Sequence, residues 1–486
     1  MRPISRRLAL QLGGLGLLSA AVGGAGVTWT RDGLLVPRAG EQLAEPETMR
    51  SEDGLLRVRL AAAEGALTIG GRRANAYGYN GTLPGPTLRL RPGDRLQVEL
   101  VNRLESPTNL HVHGLRVSPA DNGDNVFVSV QPGQTFAYDY RLPEDHPPGV
   151  YWYHPHRHPL VADQVFGGLY GAIVVEDPDE LPVSRERVLV VSDITLDAAG
   201  RVRPPSRTAR MMGREGELVL VNGHARPMFT ARPGERERWR IVNACAARYV
   251  RLRLDGQQLD VVSIDSGRYA EPRRVEEIVL ATGNRADLLV TATEGTSTLE
   301  ALGVDRGGMF GMGGLRGGSV SGDVGPLATL RVTGAAVPEL PAVPVLPQSP
   351  DLRAAELAAH RRLVFGMGMG MGGGMGRGGA TFTIDGAQFD RDRVDQTVAL
   401  GTVEEWTMVN PTPMDHPFHL HVWPMQIVAE AGRAVNDVRR QDVVNVPARS
   451  EVTVRIAFEE FAGRTVYHCH VLDHEDDGMM AVLEAR

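Results

Sequence analysis

Histidines are concentrated in four short segments of this 486-residue chain. Ten of its fourteen histidines lie in the segments HVHG, YHPH, HPFHLH and HCHVLDH, as His111, His113, His154, His156, His416, His419, His421, His468, His470 and His474. Two histidines at i and i+2 of a strand project to the same face, so each H-x-H pair can present two imidazoles to one cavity. The clusters therefore predict a site for several metal ions.

Cys469 lies between His468 and His470. On a strand the cysteine faces one side and its two neighbours face the other, so the thiolate and the imidazoles can bind different metals. A soft thiolate, two histidines and a weak methionine are the ligands of an electron-transfer copper, and Cys469, His416, His474 and Met479 supply this set. The other eight clustered histidines form an all-imidazole set, which suits several copper ions that keep open positions for a small ligand.

Two other interpretations of the histidines explain the pattern less well. A lone H-x-H is more often an ordinary surface or core pair than a metal site, but four such clusters favour metal binding. A structural zinc site closes at four ligands and would leave most of these histidines unexplained. The histidines outside the clusters, His146, His158, His224 and His360, are interpreted as ordinary residues, although His158 follows His156 by two positions and could line the site.

The elements that would position these residues are β-strands, because a turn and strand pattern occurs three times along the chain. The first copy consists of Asn80-Gly81, Pro92-Gly93 and Val101-Asn102. The second consists of Asn222-Gly223, Pro233-Gly234 and Val242-Asn243, and the third of Asp385-Gly386, Leu400-Gly401 and Val409-Asn410. Each copy predicts a hairpin-like pair of strands. The fold class is therefore expected to be all-β, with a β-sandwich repeated three times.

Proline-rich segments suggest the domain boundaries. A Pro-rich acidic link ends the first repeat, near residues 177–182, and another Pro-rich stretch covers 338–350. We expect a linker over 28–50, domains over 51–178 and 179–337, a Pro-rich linker with a Met/Gly-rich loop over 338–380, and a third domain over 381–486. Helical patterns are scarce, and residues 351–362, DLRAAELAAHRR, are the best helix candidate.

Composition and the N-terminus limit the class of protein. The 52 basic and 59 acidic side chains give a net charge of -7, which argues against a nucleic-acid binder. Two distant cysteines exclude a disulfide scaffold. Residues 1–27 have a basic start and an apolar run, as in a secretory signal or anchor. Arg6-Arg7 resembles the twin-arginine motif, which predicts passage through that translocase to the periplasm, cell envelope or exterior. No transmembrane body is expected.

HVHG, WYHPH, HPFHLH and HCHVLDHEDDGMM resemble, in the same order, the four copper-binding motifs of the multicopper oxidases. The resemblance covers about residues 50–486 and implies three consecutive cupredoxin-like Greek-key β-sandwich domains with four copper ions, the middle domain having no copper ligands. It implies that His416, Cys469, His474 and Met479 bind a type 1 copper. It places His111 and His419 on a type 2 copper. The implied ligands of the type 3 pair are His113, His154, His156, His421, His468 and His470.

The same resemblance implies one-electron oxidation of a donor at the type 1 copper and four-electron reduction of dioxygen to water at the other three. This reduction consumes protons, so carboxylates are expected beside the trinuclear cluster. Glu475, directly after His474, resembles the acid that relays protons in similar bacterial oxidases. Asp124 resembles the family's acid beside the cluster, with Asp121 as its rival because the length of this loop varies.

Methionines suggest the electron donor. Two Gly-rich stretches contain Met309, Met312, Met367, Met369, Met371 and Met375, and thioethers prefer Cu(I). The longer stretch resembles a Met-rich insert of bacterial cuprous oxidases, and Met414 matches a residue of their cuprous site. Their carboxylate four residues before His416 is replaced by Thr412, and Asp415 is nearby but not equivalent.

Three functions follow from these features. The leading hypothesis is an oxidase of Cu(I) that also acts on phenols and aromatic amines. An alternative is a laccase with mainly organic donors. A copper-sequestering or structural cupredoxin is the alternative of another class, and the complete set of copper ligands argues against a copper-free scaffold.

Overall fold

The computed structural model describes residues 40–308, 324–369 and 380–486, and these form an almost entirely β protein, as predicted. The expected export segment 1–27 and the methionines Met309, Met312, Met371 and Met375 lie outside the described residues. In the part of the chain that the structure describes, none of the helices has both the length and the hydropathy of a membrane span.

The first module is a sandwich of two sheets. Its strands are β1 (Thr48–Arg50), β2 (Leu55–Ile69), β3 (Arg72–Tyr79), β4 (Thr87–Leu90), β5 (Arg95–Asn102), β6 (His111–His113), β7 (Thr135–Arg141), β8 (Gly149–His154) and β9 (Gly171–Val175). One sheet has the order β1-β4-β9-β8-β6 and the other β3-β2-β5-β7. Along β5, Leu96, Val98 and Leu100 are buried, whereas the alternate Glu99 is exposed, so one face of this sheet covers the core.

The second module has the same two-layer construction. Its strands are β10 (Arg185–Ile194), β11 (Leu218–Val221), β12 (Met228–Ala231), β13 (Arg236–Asn243), β14 (Val250–Leu254), β15 (Gln258–Ile264), β16 (Gly267–Val275), β17 (Glu277–Leu280), β18 (Arg285–Thr291), β19 (Gly295–Leu302) and β20 (Gly325–Val332). The sheets run β11-β10-β13-β18-β15-β16 and β12-β20-β19-β14-β17, with the core between them.

The third module carries most of the clustered histidines. Its strands are β21 (Leu357–Met369), β22 (Ala380–Ile384), β23 (Gln396–Val398), β24 (Thr402–Asn410), β25 (His416–Leu420), β26 (Met425–Glu430), β27 (Arg433–Ala434), β28 (Arg440–Gln441), β29 (Val443–Val446), β30 (Ser450–Phe458), β31 (Gly463–Cys469) and β32 (Met480–Ala485). One sheet runs β22-β21-β24-β30-β26-β27, with β28 beside β26, and the other runs β23-β32-β31-β25-β29.

The repeated turns are equivalent in structure. Asn80, Asn222 and Asp385 all adopt positive φ, between 50° and 53°, and each is followed by a glycine. Their side-chain Oδ1 atoms accept the backbone N–H of Ala61, Val190 and Val364, respectively. Short polar side chains that tolerate the left-handed region explain why Asn or Asp begins every copy.

The predicted hairpins are wrong. In each copy the two strands that flank the second turn lie in opposite sheets: β4 pairs with β1 and β9, whereas β5 pairs with β2 and β7. The same separation holds for β12 and β13 and for β23 and β24. Because each of these strands is buried by the other layer, the turn between them crosses the sandwich instead of reversing within one sheet.

The predicted helix over 351–362 is also wrong. Only Leu352–Ala354 forms a 3-10 turn, and residues 357–369 form β21, which pairs in parallel with β24. Leu363 and Phe365 are buried in the third core while Arg362 is exposed, so burial with a period of two overrides the helical propensity of the Ala, Glu and Arg residues. Residues 357–369 therefore belong to a sheet of the third module, although they were predicted to lie in a linker and loop.

Among the residues that the structure describes, three short helices lie at the junctions between the modules: Val161–Phe166, Arg207–Met212 and Leu472–Asp476. Arg214, after the second helix, connects the other two. Its Nη2 donates to Asp473 Oδ1 at 2.6 Å and its Nη1 to Asp163 Oδ1 at 2.6 Å. Asp473 is fully buried, and breaking a buried ion pair by removing one partner costs about 3–5 kcal/mol. Arg214 therefore stabilises the contact of all three modules next to His474.

Candidate metal centres

Four strands bring eight histidines to the interface between the first and third modules. In the first module β6 pairs with β8, so that His111 lies opposite His154. In the third module β25 pairs with β31, so that His419 lies opposite His468. Across the interface the imidazoles stack at 3.9 Å, His113 on His419 and His111 on His421. All eight are at most 2% exposed: His111, His113, His154, His156, His419, His421, His468 and His470.

The hydrogen bonds of these histidines leave nitrogens directed at one another. In four of the rings Nδ1 lies 2.8–2.9 Å from a fixed oxygen. His111 Nδ1 contacts Asp124 Oδ2, and His154 Nδ1 contacts the Pro155 carbonyl. His419 Nδ1 contacts the Asp442 carbonyl, and His470 Nδ1 contacts Thr282 Oγ1. Among the described residues, the Nε2 atoms of these four rings are buried and have no hydrogen-bond partner. An imidazole fixed by one nitrogen and unpartnered at the other is the usual arrangement of a metal ligand.

A second group of nitrogens converges around His468. Its Nε2 lies 3.0 Å from Nε2 of His156 and 3.2 Å from Nε2 of His421. The ligand atoms of His111, His113 and His154 also lie within 4.8 Å of one another, as do those of His111, His419 and His421. Burial lowers the pKa of His154 to about 3 and that of His468 to about 4, so both rings are neutral at pH 7. Neutral, converging imidazoles fit a group of copper ions.

Cys469 faces away from these histidines into a separate site. Its Sγ lies 3.4 Å from Nδ1 of His416 and 3.8 Å from Nδ1 of His474. Met479 is fully buried, and its carbonyl accepts the backbone N–H of Cys469 at 3.0 Å. Burial raises the pKa of the Cys469 thiol, so a metal must displace the proton to bind the sulfur. We call His416, Cys469, His474 and Met479 the cysteine site.

Neighbouring residues hold the histidines of the cysteine site in place. Thr412 Oγ1 lies 2.9 Å from Nε2 of His416. The ring of Phe382 stacks on His474 at 4.0 Å. Nε2 of His474 lies 3.2 Å from the carbonyl oxygen of Met211, at the end of the short helix in the second module. His474 is therefore fully buried, and its outer edge is covered by the backbone of the second module.

Both predicted acids contact the histidines. Asp124 is buried against His111, and burial raises its pKa to about 8. Its rival Asp121 is exposed in a turn with φ of 51°. Glu475 is fully buried, with Oε2 3.1 Å from Nδ1 of His468 and Oε1 3.5 Å from Nε2 of His156. Burial, with a further contribution from Asp476, raises the pKa of Glu475 well above its usual range. Such carboxyls hold protons near neutral pH.

Of the predicted Cu(I)-binding residues, Met414, Asp415, Met367 and Met369 lie in the described part of the chain. Met414 is buried beside His416, but the Asp415 carboxylate accepts hydrogen bonds from Asn445 Nδ2 and the Ala448 N–H. Met367 packs against the third core, and Met369 ends β21. His158, which follows His156 by two positions, lines a cavity of about 300 Å³ together with His156.

Three residues that contact the histidines or their partners were not predicted from the sequence. Asp442 Oδ1 lies 2.9 Å from Nε2 of His113. Arg285, from the second module, donates to both Asp442 oxygens at 2.6 and 2.7 Å. Thr282, also from the second module, contacts His470. These residues follow no H-x-H pattern, so only the packing of the modules identifies them.

Comparisons with known proteins identify the family of the chain. Three multicopper oxidase family profiles match residues 62–180, 186–298 and 369–486. A multicopper oxidase of Staphylococcus haemolyticus is 28% identical over 85% of this chain and 84% of its own length. A laccase of Bacillus subtilis is 26% identical over 84% of this chain and 90% of its own length.

A solved structure extends the similarity to the whole fold. The multicopper oxidase from Campylobacter jejuni, described as a metallo-oxidase, superposes with a TM-score of 0.81 and 30% identity, over 93% of this chain and 97% of that protein. The chain therefore belongs to the multicopper oxidase family and is a copper-dependent oxidoreductase that acts on dioxygen.

Proposed function

We propose that the cysteine site binds a type 1 copper and that the eight histidines bind a type 2 copper, through His111 and His419, and a type 3 pair, through the other six. The observation that carries this proposal is the alternation at the end of β31. Cys469 packs with His416 and His474, while the adjacent His468 and His470 enter the histidine cluster. When bound, the coppers would accept electrons singly from a donor and pass four of them to dioxygen.

The chain itself supplies the path for electrons and the groups for protons. Peptide bonds join Cys469 to His468 and His470, so the two sites are separated by a few covalent bonds. Glu475 and Asp124 hold protons next to the imidazoles. Thr282 and Arg285 orient His470 and Asp442 from the second module. An oxygen electrode tests the overall reaction: four equivalents of a one-electron donor should be oxidised per dioxygen, without peroxide. Release of stoichiometric peroxide would contradict the proposal.

Asp124→Asn should slow steady-state oxygen consumption about 10- to 100-fold, the usual cost of losing a carboxylate that orients a metal-binding histidine. Anaerobic reduction of the type 1 copper at the cysteine site, followed by the loss of its blue absorption, should proceed at the native rate because that site is unchanged. Asp121→Asn is the matched control, since this aspartate lies in the same loop but is exposed. Unchanged oxygen consumption in Asp124→Asn would count against the role.

For the donor, we propose Cu(I), with activity on phenols and aromatic amines as a second capacity. His474 is fully buried, with Phe382 stacked on its ring and the Met211 carbonyl at its edge, so a phenol from solvent has no direct access to its imidazole. Met211 and Met212 end the short helix Arg207–Met212 and are half-buried, and their thioethers suit Cu(I). The names of the relatives favour neither donor alone, since one is a metallo-oxidase and another a laccase.

Replacing Met211 and Met212 together by leucine should lower kcat/KM for Cu(I) roughly tenfold and leave that for a phenol unchanged, because leucine keeps the volume but removes the soft sulfur. Met228→Leu, in β12 of the same module, is the control. Equal kcat/KM values for Cu(I) in the double variant and the native protein would favour the laccase alternative.

We also propose that the chain is exported through the twin-arginine translocase, from the Arg6-Arg7 pair before the apolar run. Fractionation of cells tests this: replacing both arginines by lysine should leave the chain in the cytoplasm.

The alternative function, copper sequestration or a structural role, predicts that the protein binds copper without consuming oxygen.

A further inference from the structure

Arg306 is a fully buried cation beside the cysteine site. Its Nη2 donates to Glu215 Oε1 at 3.0 Å and to the Met212 carbonyl at 3.4 Å. The guanidinium carbon lies 5.2 Å from the centre of the Tyr249 ring. Within the described residues, Nε and Nη1 are buried and have no hydrogen-bond partner. The structure therefore keeps this charge in place although its hydrogen bonds are incomplete.

Two contacts fix Arg306 relative to the histidines of the cysteine site. Its carbonyl accepts the backbone N–H of Asp415, the residue before His416, at 2.8 Å. Its side chain holds Met212, and the neighbouring Met211 carbonyl contacts His474. Both contacts join Arg306 to backbone that directly adjoins a histidine of the cysteine site, so the buried guanidinium lies close enough to act electrostatically on that site.

The carboxylate that balances the charge of Arg306, Glu215, is shared with a second arginine. Glu215 also pairs with Arg248 at 3.0 Å, and its side chain retains 11% exposure. Asp415, the carboxylate next to His416, is half-buried and engaged with Asn445 and Ala448. A guanidinium does not lose its proton in a protein, so the positive charge of Arg306 is permanent.

We propose that the buried guanidinium of Arg306 raises the reduction potential of the copper at the cysteine site. The proposal rests on the type 1 assignment above. When this copper gains one electron from the donor, the charge of the site falls by one. A nearby positive charge therefore destabilises the oxidised site more than the reduced site. Arg306 would then make the copper a stronger oxidant toward a weakly reducing donor.

Arg306→Gln and Arg306→Lys, in the copper-loaded full chain, separate charge from hydrogen bonding. Glutamine keeps N–H donors and removes the charge, whereas lysine keeps the charge. A redox titration of the blue absorption should show that Arg306→Gln lowers the equilibrium constant for reduction at least tenfold, a fall of about 59 mV or more. Arg306→Lys should stay within threefold of the native value. Arg50→Gln, a distant exposed site, is the control and should cause no shift.

Glu215→Gln provides the opposite test, because it removes the counter-charge and should raise the potential. An unshifted potential in Arg306→Gln, or equal falls in the glutamine and lysine variants, would overturn the proposal. If Arg306→Gln does not retain copper, Glu215→Gln decides: a rise supports the role of the charge, and an unchanged or lower potential overturns it. A native protein without blue copper would instead refute the type 1 assignment.

Discussion

Cys469→Ser should lose the blue absorption and reduce oxygen consumption to the rate of a copper-free preparation. The hydroxyl of serine is a hard, weakly acidic group that cannot replace a thiolate as a copper ligand. The substitution also removes the sulfur from which electrons would leave toward His468 and His470. Visible absorption and an oxygen electrode measure the two losses.

Cys245→Ser is the matched control for this variant. Cys245 is also buried and free, but it lies in the core of the second module, and its sulfur is 4.0 Å from the Val191 carbonyl. Its replacement should leave the blue absorption and the oxygen consumption unchanged. A Cys469→Ser protein that reduced dioxygen at the native rate would refute the electron path.

Glu475→Gln should slow oxygen consumption by about 10²-fold or more, the usual contribution of a positioned general acid. The amide keeps the volume and the contacts of Glu475 with His156 and His468 but cannot deliver a proton. Anaerobic reduction of the blue copper should be unaffected, because Cys469 and its ligands are unchanged.

Glu484→Gln, on β32 of the same module and half-buried, provides the control for Glu475→Gln and should behave as the native protein. A Glu475→Gln protein with native turnover would remove this residue from the proton path. Slowed reduction of the blue copper would show instead that the substitution disturbs the neighbouring His474.

The histidines and the cysteine that converge in the two clusters could be predicted to lie together because their pattern is local. Strand alternation alone separates Cys469 from His468 and His470, and the structure shows that separation directly. The choice of Asp124 over Asp121 was not predictable from spacing, since it depends on the path of a loop. Only the folded chain buries one and exposes the other.

Features that depend on contacts between residues far apart in the sequence, whether between modules or within one, were not predictable. Arg285 and Thr282 reach the histidines from a module that has no cluster of its own. The 351–362 segment has helical propensity, but pairing with β24 makes most of it a strand. The repeated turns were located correctly, yet their flanking strands join opposite sheets because each layer must be covered by the other.

Metal analysis of the copper-loaded full chain, combined with its absorption spectrum, tests the central claim most directly. The proposed ligand sets predict about four copper ions per chain and a blue thiolate-to-copper band. A colourless protein that holds zinc, or one that binds copper without the blue band, would contradict the assignment of Cys469 and the eight histidines.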